Sequence, residues 1–184
     1  MNVDTVSVEA PDERPRTDVL TKAAYALAGF LSLLAAIRYG MHPETLVVIF
    51  VVATLVVISK HDLERHIIPN RIVLPAWVAV LLAHLALHPH HWVEWLVASF
   101  GAGAFFLIVQ LAYPAGLGMG DVKLALLLGA ALGWAVIAAL FFGTVAAGLV
   151  SAALLFRHGA AARKRAIPLG PFLAAGAVLV LLFL

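Results

Sequence analysis

Carboxylates are the side chains on which any chemistry of this chain would depend. The 184 residues include no cysteine, which excludes thiolate nucleophiles, iron–sulfur clusters and cysteine-ligated zinc. Five of the ten Asp and Glu residues lie in the first eighteen positions, and the others are Glu44, Asp62, Glu64, Glu94 and Asp121. Two carboxylates within a few ångströms share one proton, so one can activate a water while the other protonates a carbonyl. Such a pair needs no metal, cofactor or covalent intermediate, and it would also suit ion transport.

Asp62 and Asp121 both adjoin patterns that mark the end or the start of a helix. Pro69–Asn70 follows Asp62 by seven residues, and because proline disfavours a helical predecessor, Asp62 is predicted on the last turn of a helix or just past it. Asp121 closes the stretch Gly118–Asp121 and precedes a long apolar run, which predicts a capping or first-turn position. Three glycines within residues 116–120 allow another chain to approach the backbone closely.

The elements that position these residues are predicted to be membrane-spanning helices. The chain is 64% hydrophobic and 12% charged, which is too apolar for a water-soluble domain. The fifth of six apolar runs has 33 residues, and one helix of that length would measure about 50 Å against about 30 Å of hydrocarbon. We therefore split it near Gly133 and Trp134 and predict an all-α, polytopic bundle of about seven transmembrane helices. The six runs are Val19–Ile37, Thr45–Ser59, Ile72–Leu87, Trp95–Tyr113, Leu124–Phe156 and Ala166–Leu184.

The distribution of basic residues predicts the orientation of the bundle. With seven alternating spans, 11 of the 12 Lys and Arg residues lie on one side, and only Arg38 lies opposite. Short basic loops remain in the cytoplasm, so the amino terminus is predicted to be cytoplasmic. Asp62, Glu64 and Asp121 then fall at cytoplasmic ends of spans. We further predict a disordered tail over residues 1–18, one membrane domain over residues 19–184, and no nucleic-acid partner, since the basic residues form no continuous face.

Several other patterns favour structural over chemical roles. His84 and His88 have helical metal-ligand spacing but are interpreted as part of a polar interface at the opposite membrane face, with no metal. Ser99 lacks a histidine partner and the surrounding glycines of a serine intramembrane protease. Gly129 and Gly133 form a Gly-x-x-x-Gly pair that would pack either the chain's own helices or a second copy in a homodimer.

Three blocks of the sequence together resemble the signature of the type IV prepilin peptidases. They are Asp62 with Pro69–Asn70, the stretch Gly118–Asp121, and the stretch Ile167–Ala174, in the family's order. The resemblance implies a membrane aspartyl endopeptidase of the bacterial inner membrane that cuts the basic leader of prepilin-like proteins at the cytoplasmic face. It also assigns Asp62 and Asp121 as the catalytic pair. The residues that it implies bind substrate or shape the site are Pro69, Asn70, Gly118, Gly120, Lys123, Pro168, Gly170 and Pro171.

The resemblance also separates alternatives that the residues alone leave open. It favours Asp62 over Glu64, and it favours peptide cleavage over a small ion-coupled transporter using the same aspartates. Without the resemblance, Lys123 would equally be interpreted as an ordinary lysine whose ammonium group extends to the membrane surface. The presenilin-like group is disfavoured because His61, not Tyr, precedes Asp62. The chain resembles the minimal, peptidase-only form found with tight-adherence (Flp-type) pili, so methyltransferase activity is not expected.

Overall fold

The fold consists of α-helices joined by short turns. A computed structural model describes residues 14–114, 116–158 and 168–184, and these residues form seven α-helices and no strand. Two 3₁₀ turns, Pro89–His91 and Gly133–Ala135, lie between helices. The helices are α1 (Arg14–Tyr39), α2 (Pro43–Arg65), α3 (Asn70–Leu87), α4 (Trp92–Ala112), α5 (Met119–Leu132), α6 (Val136–His158) and α7 (Gly170–Phe183). The all-α prediction is confirmed.

Most of these helices are long and apolar enough to cross a membrane. Five stretches of the described residues meet that criterion, with α5 and α6 counted together as one stretch of 39 residues. The last helix, α7, has 14 residues and would measure about 21 Å, shorter than the hydrocarbon core. The chain is therefore a multi-pass membrane protein, while a count of seven complete spans stays a prediction.

The long fifth run is broken where its length predicted a break. Leu132 ends α5, the 3₁₀ turn begins at Gly133, and Gly133 has a φ of +56° that residues with a Cβ rarely adopt. The amide of Trp134 donates a hydrogen bond to Glu94 Oε1 at 3.4 Å, which binds the turn to α4.

Glycine contacts between neighbouring helices show the relative directions of α4 and α5. Gly103 packs against Leu126 whereas Gly129 packs against Ala98, so α4 and α5 are antiparallel. Gly129 thus packs within the chain, which is one of the two roles predicted for the glycine pair.

The same kind of contact relates α6 to α7. Gly143 lies against Leu173, and Gly176 lies against Ala139, so α6 and α7 are also antiparallel. Because α5 and α7 both begin at the end of the bundle that contains Asp62, α5 and α6 run in opposite directions.

The core surrounds α5, and α1 lies at the periphery. Most side chains of α5 from Val122 onward are buried, as expected for a helix that is apolar on all sides. Large apolar side chains on α4 and α6, such as Ile108 and Leu149, are exposed and suit contact with lipid. The hydroxyl of Thr54 donates to the carbonyl of Phe50 in the preceding turn, so it needs no water inside the bilayer.

Helix boundaries differ from the predicted ones where polar residues continue an apolar run. The first helix begins at Arg14, within the stretch predicted as a tail, and residues 1–13 lie outside the described residues. The second helix, α2, ends at Arg65, six residues beyond the end of the predicted span, and so includes Asp62. The last helix begins at Gly170, four residues after the predicted start, and the basic cluster at 163–165 lies outside the described residues.

Candidate active site

Asp62 is held at the meeting point of α2 and α7. It lies on the last turn of α2, as predicted, and is buried with 6% of its surface exposed. The backbone N–H of Gly170, at the start of α7, donates a hydrogen bond to Asp62 Oδ2 at 2.9 Å. A Cβ on residue 170 would lie 2.7 Å from that same oxygen, so this close approach requires glycine.

Asp121 is held at the amino terminus of α5. It occupies the third helical position, and its Oδ2 accepts a hydrogen bond from the Gly118 N–H at 3.1 Å. The Asp121 carboxylate thus accepts a hydrogen bond from the backbone N–H of the N-cap residue, as the acidic side chain of a capping box does. The first-turn prediction is confirmed, and the positive end of the helix dipole lies next to the carboxylate.

The two aspartates belong to the same site. The Asp62 and Asp121 carboxylates lie close enough for their charges to interact, at the end of the bundle where α5 packs against α2 and α7. Each carboxylate has one oxygen bound by a backbone N–H at the start of a helix, Gly170 or Gly118. Neither forms an ion pair with any Lys, Arg or His side chain in the part of the chain that the structure describes. We call this end of the bundle the aspartate end.

Contacts between the segment that follows Asp62 and the first turns of α5 join the two halves of the site. Lys123 Nζ donates a hydrogen bond to Asn70 Oδ1 at 2.7 Å, linking the starts of α3 and α5. A Cβ on Gly120 would lie 2.9 Å from the Cβ of Ile68, so the two segments touch where that glycine has no side chain. The structure thus brings Asn70, Lys123 and Gly120 to the aspartate end.

The three prolines of the predicted site lie at helix starts. Pro69 is the N-cap of α3 and ends the turn after α2. Pro171 is in the first turn of α7, where a missing N–H costs no helical hydrogen bond. Pro168 precedes α7 and is partly buried. These positions fix where α3 and α7 begin, and therefore where Asn70 and Gly170 lie.

His66 and Ile68 are the site neighbours that the sequence did not single out. His66 caps α2 with φ 53°, and its N–H donates to the Asp62 carbonyl at 2.8 Å. Its ring is close enough that its charge, when protonated, would act on the Asp62 carboxylate. Left-handed geometry is uncommon for non-glycine residues, although histidine is among those that adopt it more often. The only sequence signal was its place between the helix end and Pro69.

Glu64 and Ser99, the other candidates for catalytic residues, make contacts that hold helices or side chains in place. Glu64 pairs with Lys60 one turn earlier on α2, at 3.9 Å, and is not bonded to α7. Ser99 donates to the Leu126 carbonyl and accepts from the Trp77 indole, so its hydroxyl joins helices.

His84, His88, His90 and His91 lie at the opposite end of the bundle, which we call the histidine end. The Nδ1 of His84 hydrogen-bonds the Ala130 carbonyl at 2.8 Å, and its ring stacks on Trp95 with centroids 4.0 Å apart. His88 pairs with Glu44 at 3.2 Å. Within the described residues no group of three or more His, Asp or Glu side chains has a geometry that could hold a metal.

The fold and the site together define a class: a multi-pass, all-helical membrane protein with two carboxylates placed at helix ends in one site. A model of the type IV leader peptidase family matches residues 49–154, more than half of the chain and a range that includes both aspartates. The chain belongs to the type IV leader peptidase family. This confirms the resemblance drawn from the three sequence blocks, and nothing supports the transporter alternative.

Two curated proteins named prepilin leader peptidase/N-methyltransferase are similar to the chain. The protein from Bacillus subtilis (strain 168) is 27% identical over 169 residues, which cover 92% of this chain and 65% of that protein. The protein from Pseudomonas putida is 32% identical over 161 residues, covering 82% of this chain and 54% of that protein. The chain thus spans less than two thirds of the length of either relative. No solved structure matches it significantly.

Proposed function

We propose that the chain is a membrane aspartyl endopeptidase that removes the leader of prepilin-like proteins at the cytoplasmic face of the bacterial inner membrane. The observation that carries the proposal is the pair Asp62 and Asp121, brought into one site by different helices and free of ion pairs with described side chains. Family membership and the relatives' names support leader cleavage as the activity. Both carboxylates come from one chain, so the site requires no second copy.

The mechanism follows from two carboxylates that share one proton. One aspartate, ionised, removes a proton from a water molecule as that water attacks the scissile carbonyl carbon. The other, protonated, donates its proton to the carbonyl oxygen, giving a neutral tetrahedral intermediate. Collapse of this intermediate breaks the C–N bond: the aspartate that took the water proton gives it to the leaving amine, and the other aspartate, now ionised, takes a proton from one hydroxyl of the intermediate. The Gly170 and Gly118 amides fix one oxygen of each carboxylate and leave the other for water and substrate.

Other residues of the aspartate end are proposed to hold this geometry and to receive the peptide. Lys123 and Asn70 tie the segments that carry the two aspartates. Gly118 lies beside Asp121 with no side chain to obstruct an extended peptide, and Gly120 lets Ile68 pack against the start of α5.

The test uses purified protein in detergent and a test polypeptide that carries a basic leader ending in Gly. The intact chain should cleave after that Gly. Asp62→Asn and Asp121→Asn should each lower kcat roughly a thousand-fold, within the range of about 10² to 10⁴ contributed by general acids and bases. Expression and melting temperature should remain close to those of the parent.

Glu64→Gln is the matched control, because Glu64 is a carboxylate two residues along α2 from Asp62 and pairs with Lys60. It should cleave at the parent rate. Undiminished cleavage by either asparagine variant would show that the pair does not perform the reaction.

A further inference from the structure

A pocket of about 470 Å³ lies at the histidine end of the bundle, where the ends of the helices come together. Its wall includes residues from all seven helices, and eight of its thirteen lining residues are Val, Ala or Leu. The other five are Tyr39, Glu44, His84, His88 and Trp95. The catalytic pair lies at the opposite end, so the proposed chemistry does not use this histidine-end pocket.

The polar side chains of the pocket lie close to the membrane surface. Tyr39 ends α1, Glu44 is in the first turn of α2, and His88 caps α3. The side chains of Glu44 and His88 are 47% and 32% exposed, so the mouth of the pocket is beside them. A molecule dissolved in water and the headgroup of a lipid can both reach this position.

The charge of the lining favours a cation as the ligand. Glu44 is the one acidic residue of the lining, and no Lys or Arg in the described parts of the chain lines the pocket. His88 Nε2 lies 3.2 Å from Glu44 Oε1, and a neutral imidazole that donates from this nitrogen leaves the charge of the carboxylate in place. A cation in the pocket would therefore meet a carboxylate and no fixed positive charge.

The hydrogen-bonding groups of the lining that remain available are acceptors. The Tyr39 hydroxyl donates its proton to the Leu181 carbonyl at 2.7 Å, so its oxygen can only accept from a ligand. Because a carbonyl cannot donate, His84 Nδ1 carries the proton of its bond to Ala130, and Nε2 of the neutral ring is an acceptor. The Trp95 indole N–H is buried and out of reach of a ligand. The ligand that matches this lining is rich in N–H donors.

The size and the wall of the pocket favour an organic cation over a metal ion. A metal ion would occupy only a small part of 470 Å³, and the His, Asp and Glu side chains of the described residues form no metal-binding group of three. The aliphatic wall offers an apolar group a place away from water. The rings of Tyr39 and Trp95 attract cations through their faces.

We infer that the histidine-end pocket binds a primary ammonium ion that carries a small apolar group, with its N–H groups donating to Glu44, Tyr39 and His84. The apolar group would lie against the aliphatic wall. The inference does not depend on the proposed function, since no residue of the aspartate end takes part. Two sources contain this chemistry, a free amine in the surrounding water and the ethanolamine headgroup of a lipid.

Benzylamine is the probe, and the melting temperature of the purified chain in detergent measures its binding. A ligand that binds only the folded state stabilises it by RT ln(1 + [L]/Kd), so the dependence on concentration gives Kd. Benzyl alcohol has the same apolar group without the charge, and trimethylbenzylammonium has the charge without N–H donors. Each should bind at least about ten-fold more weakly than benzylamine, because each loses charge-assisted hydrogen bonds.

Three variants test the residues. Glu44→Gln keeps the shape of the side chain and removes its charge, so it should weaken benzylamine binding at least about ten-fold. Glu94→Gln is the matched control, because Glu94 lies at the same end outside the pocket lining and its amide oxygen can still accept from the Trp134 N–H. It should bind as the parent does. Ala135→Phe places a ring in the pocket from an exposed position, so it should abolish binding and keep the melting temperature of the free protein.

Nanodiscs distinguish the two sources of the ammonium ion. Phosphatidylethanolamine and phosphatidylcholine have the same net charge, but only the former has ammonium N–H groups. If a lipid headgroup occupies the pocket, benzylamine should bind several-fold more weakly in phosphatidylethanolamine nanodiscs than in phosphatidylcholine nanodiscs. Equal affinity in the two lipids would assign the pocket to a free amine.

Several results would overturn the inference. They are equal binding of benzylamine and benzyl alcohol, tighter binding of benzoate than of benzylamine, and parent affinity in Glu44→Gln. A melting temperature that benzylamine does not change in either detergent or phosphatidylcholine would do the same. None of these measurements involves cleavage, so their failure would leave the peptidase proposal in place.

Discussion

The aspartate end and the histidine end of the bundle both contain acidic side chains at helix termini, but their hydrogen bonds differ. At the aspartate end, the Asp62 and Asp121 carboxylates accept from backbone amides. At the histidine end, Glu44 pairs with His88, and Glu94 binds the Trp134 amide and approaches His91 at 3.8 Å. At the histidine end each carboxylate therefore has a histidine ion-pair partner, at 3.2 or 3.8 Å, whereas among the described residues neither carboxylate of the aspartate end has an ion-pair partner.

This difference indicates which end can perform acid–base chemistry on a peptide. A carboxylate paired with a cation stays ionised and makes a poor proton donor. Two neighbouring carboxylates without cations share a proton and supply both an acid and a base. The buried His84, bonded to Ala130 and stacked on Trp95, joins helices instead of facing a substrate. The acidic residues at the two ends thus have different roles. Mutations at the aspartate end should affect catalytic rate, and mutations at the histidine end should affect stability.

Gly170→Ala should give the largest effect of this comparison, and it should affect activity. The added Cβ would lie 2.7 Å from Asp62 Oδ2, so the carboxylate or the start of α7 must move. A displacement of about 1 Å in a catalytic group can cost about a hundred-fold in rate, and we expect kcat to fall by that factor. Peptide cleavage by purified protein measures it. Gly148→Ala, where a Cβ meets nothing within 4 Å, is the matched control and should retain full activity.

Gly133→Ala should give the corresponding effect at the histidine end, and it should affect stability. Alanine would have to adopt a φ near +56° with its Cβ 2.6 Å from Glu94 Oε1. A residue with such backbone strain costs about 1–3 kcal/mol, so the melting temperature in detergent should fall while kcat of the folded protein is kept. Gly101→Ala, in open space on α4, should leave both unchanged. A loss of kcat at unchanged melting temperature would contradict the division between the two ends.

The sequence was sufficient to predict features that depend on local chemistry. A 33-residue apolar run was too long for one span, and Gly133 supplied the break that the structure places there. Pro69 located the end of α2, so Asp62 was placed on its last turn before any contact was known. The glycines before Asp121 located the start of α5.

Contacts between segments far apart in the sequence could not be predicted from local patterns. The hydrogen bond from Gly170 to Asp62 joins residues 108 positions apart, and no local pattern specifies which helix start will meet a given carboxylate. Only the family resemblance placed Gly170 at the site. The left-handed His66 was missed because its conformation follows from the reversal between α2 and α3 and not from residue preference.

The smallest predicted effects compare one polar link at each end. Asn70→Ala and Lys123→Met both remove the 2.7 Å bond between α3 and α5, and each should lower kcat/KM about ten-fold, equivalent to about 1.4 kcal/mol. The double variant should be no worse than either single variant, because one bond is lost in all three. Glu44→Gln removes the His88 pair at the other end, where both side chains are partly exposed. It should change stability by less than about 1 kcal/mol and leave kcat/KM at the parent value. If the kcat/KM losses of the two single variants multiply in the Asn70–Lys123 double variant, Lys123 acts on the substrate separately from its bond to Asn70. A lysine released from Asn70 would then still contribute to cleavage.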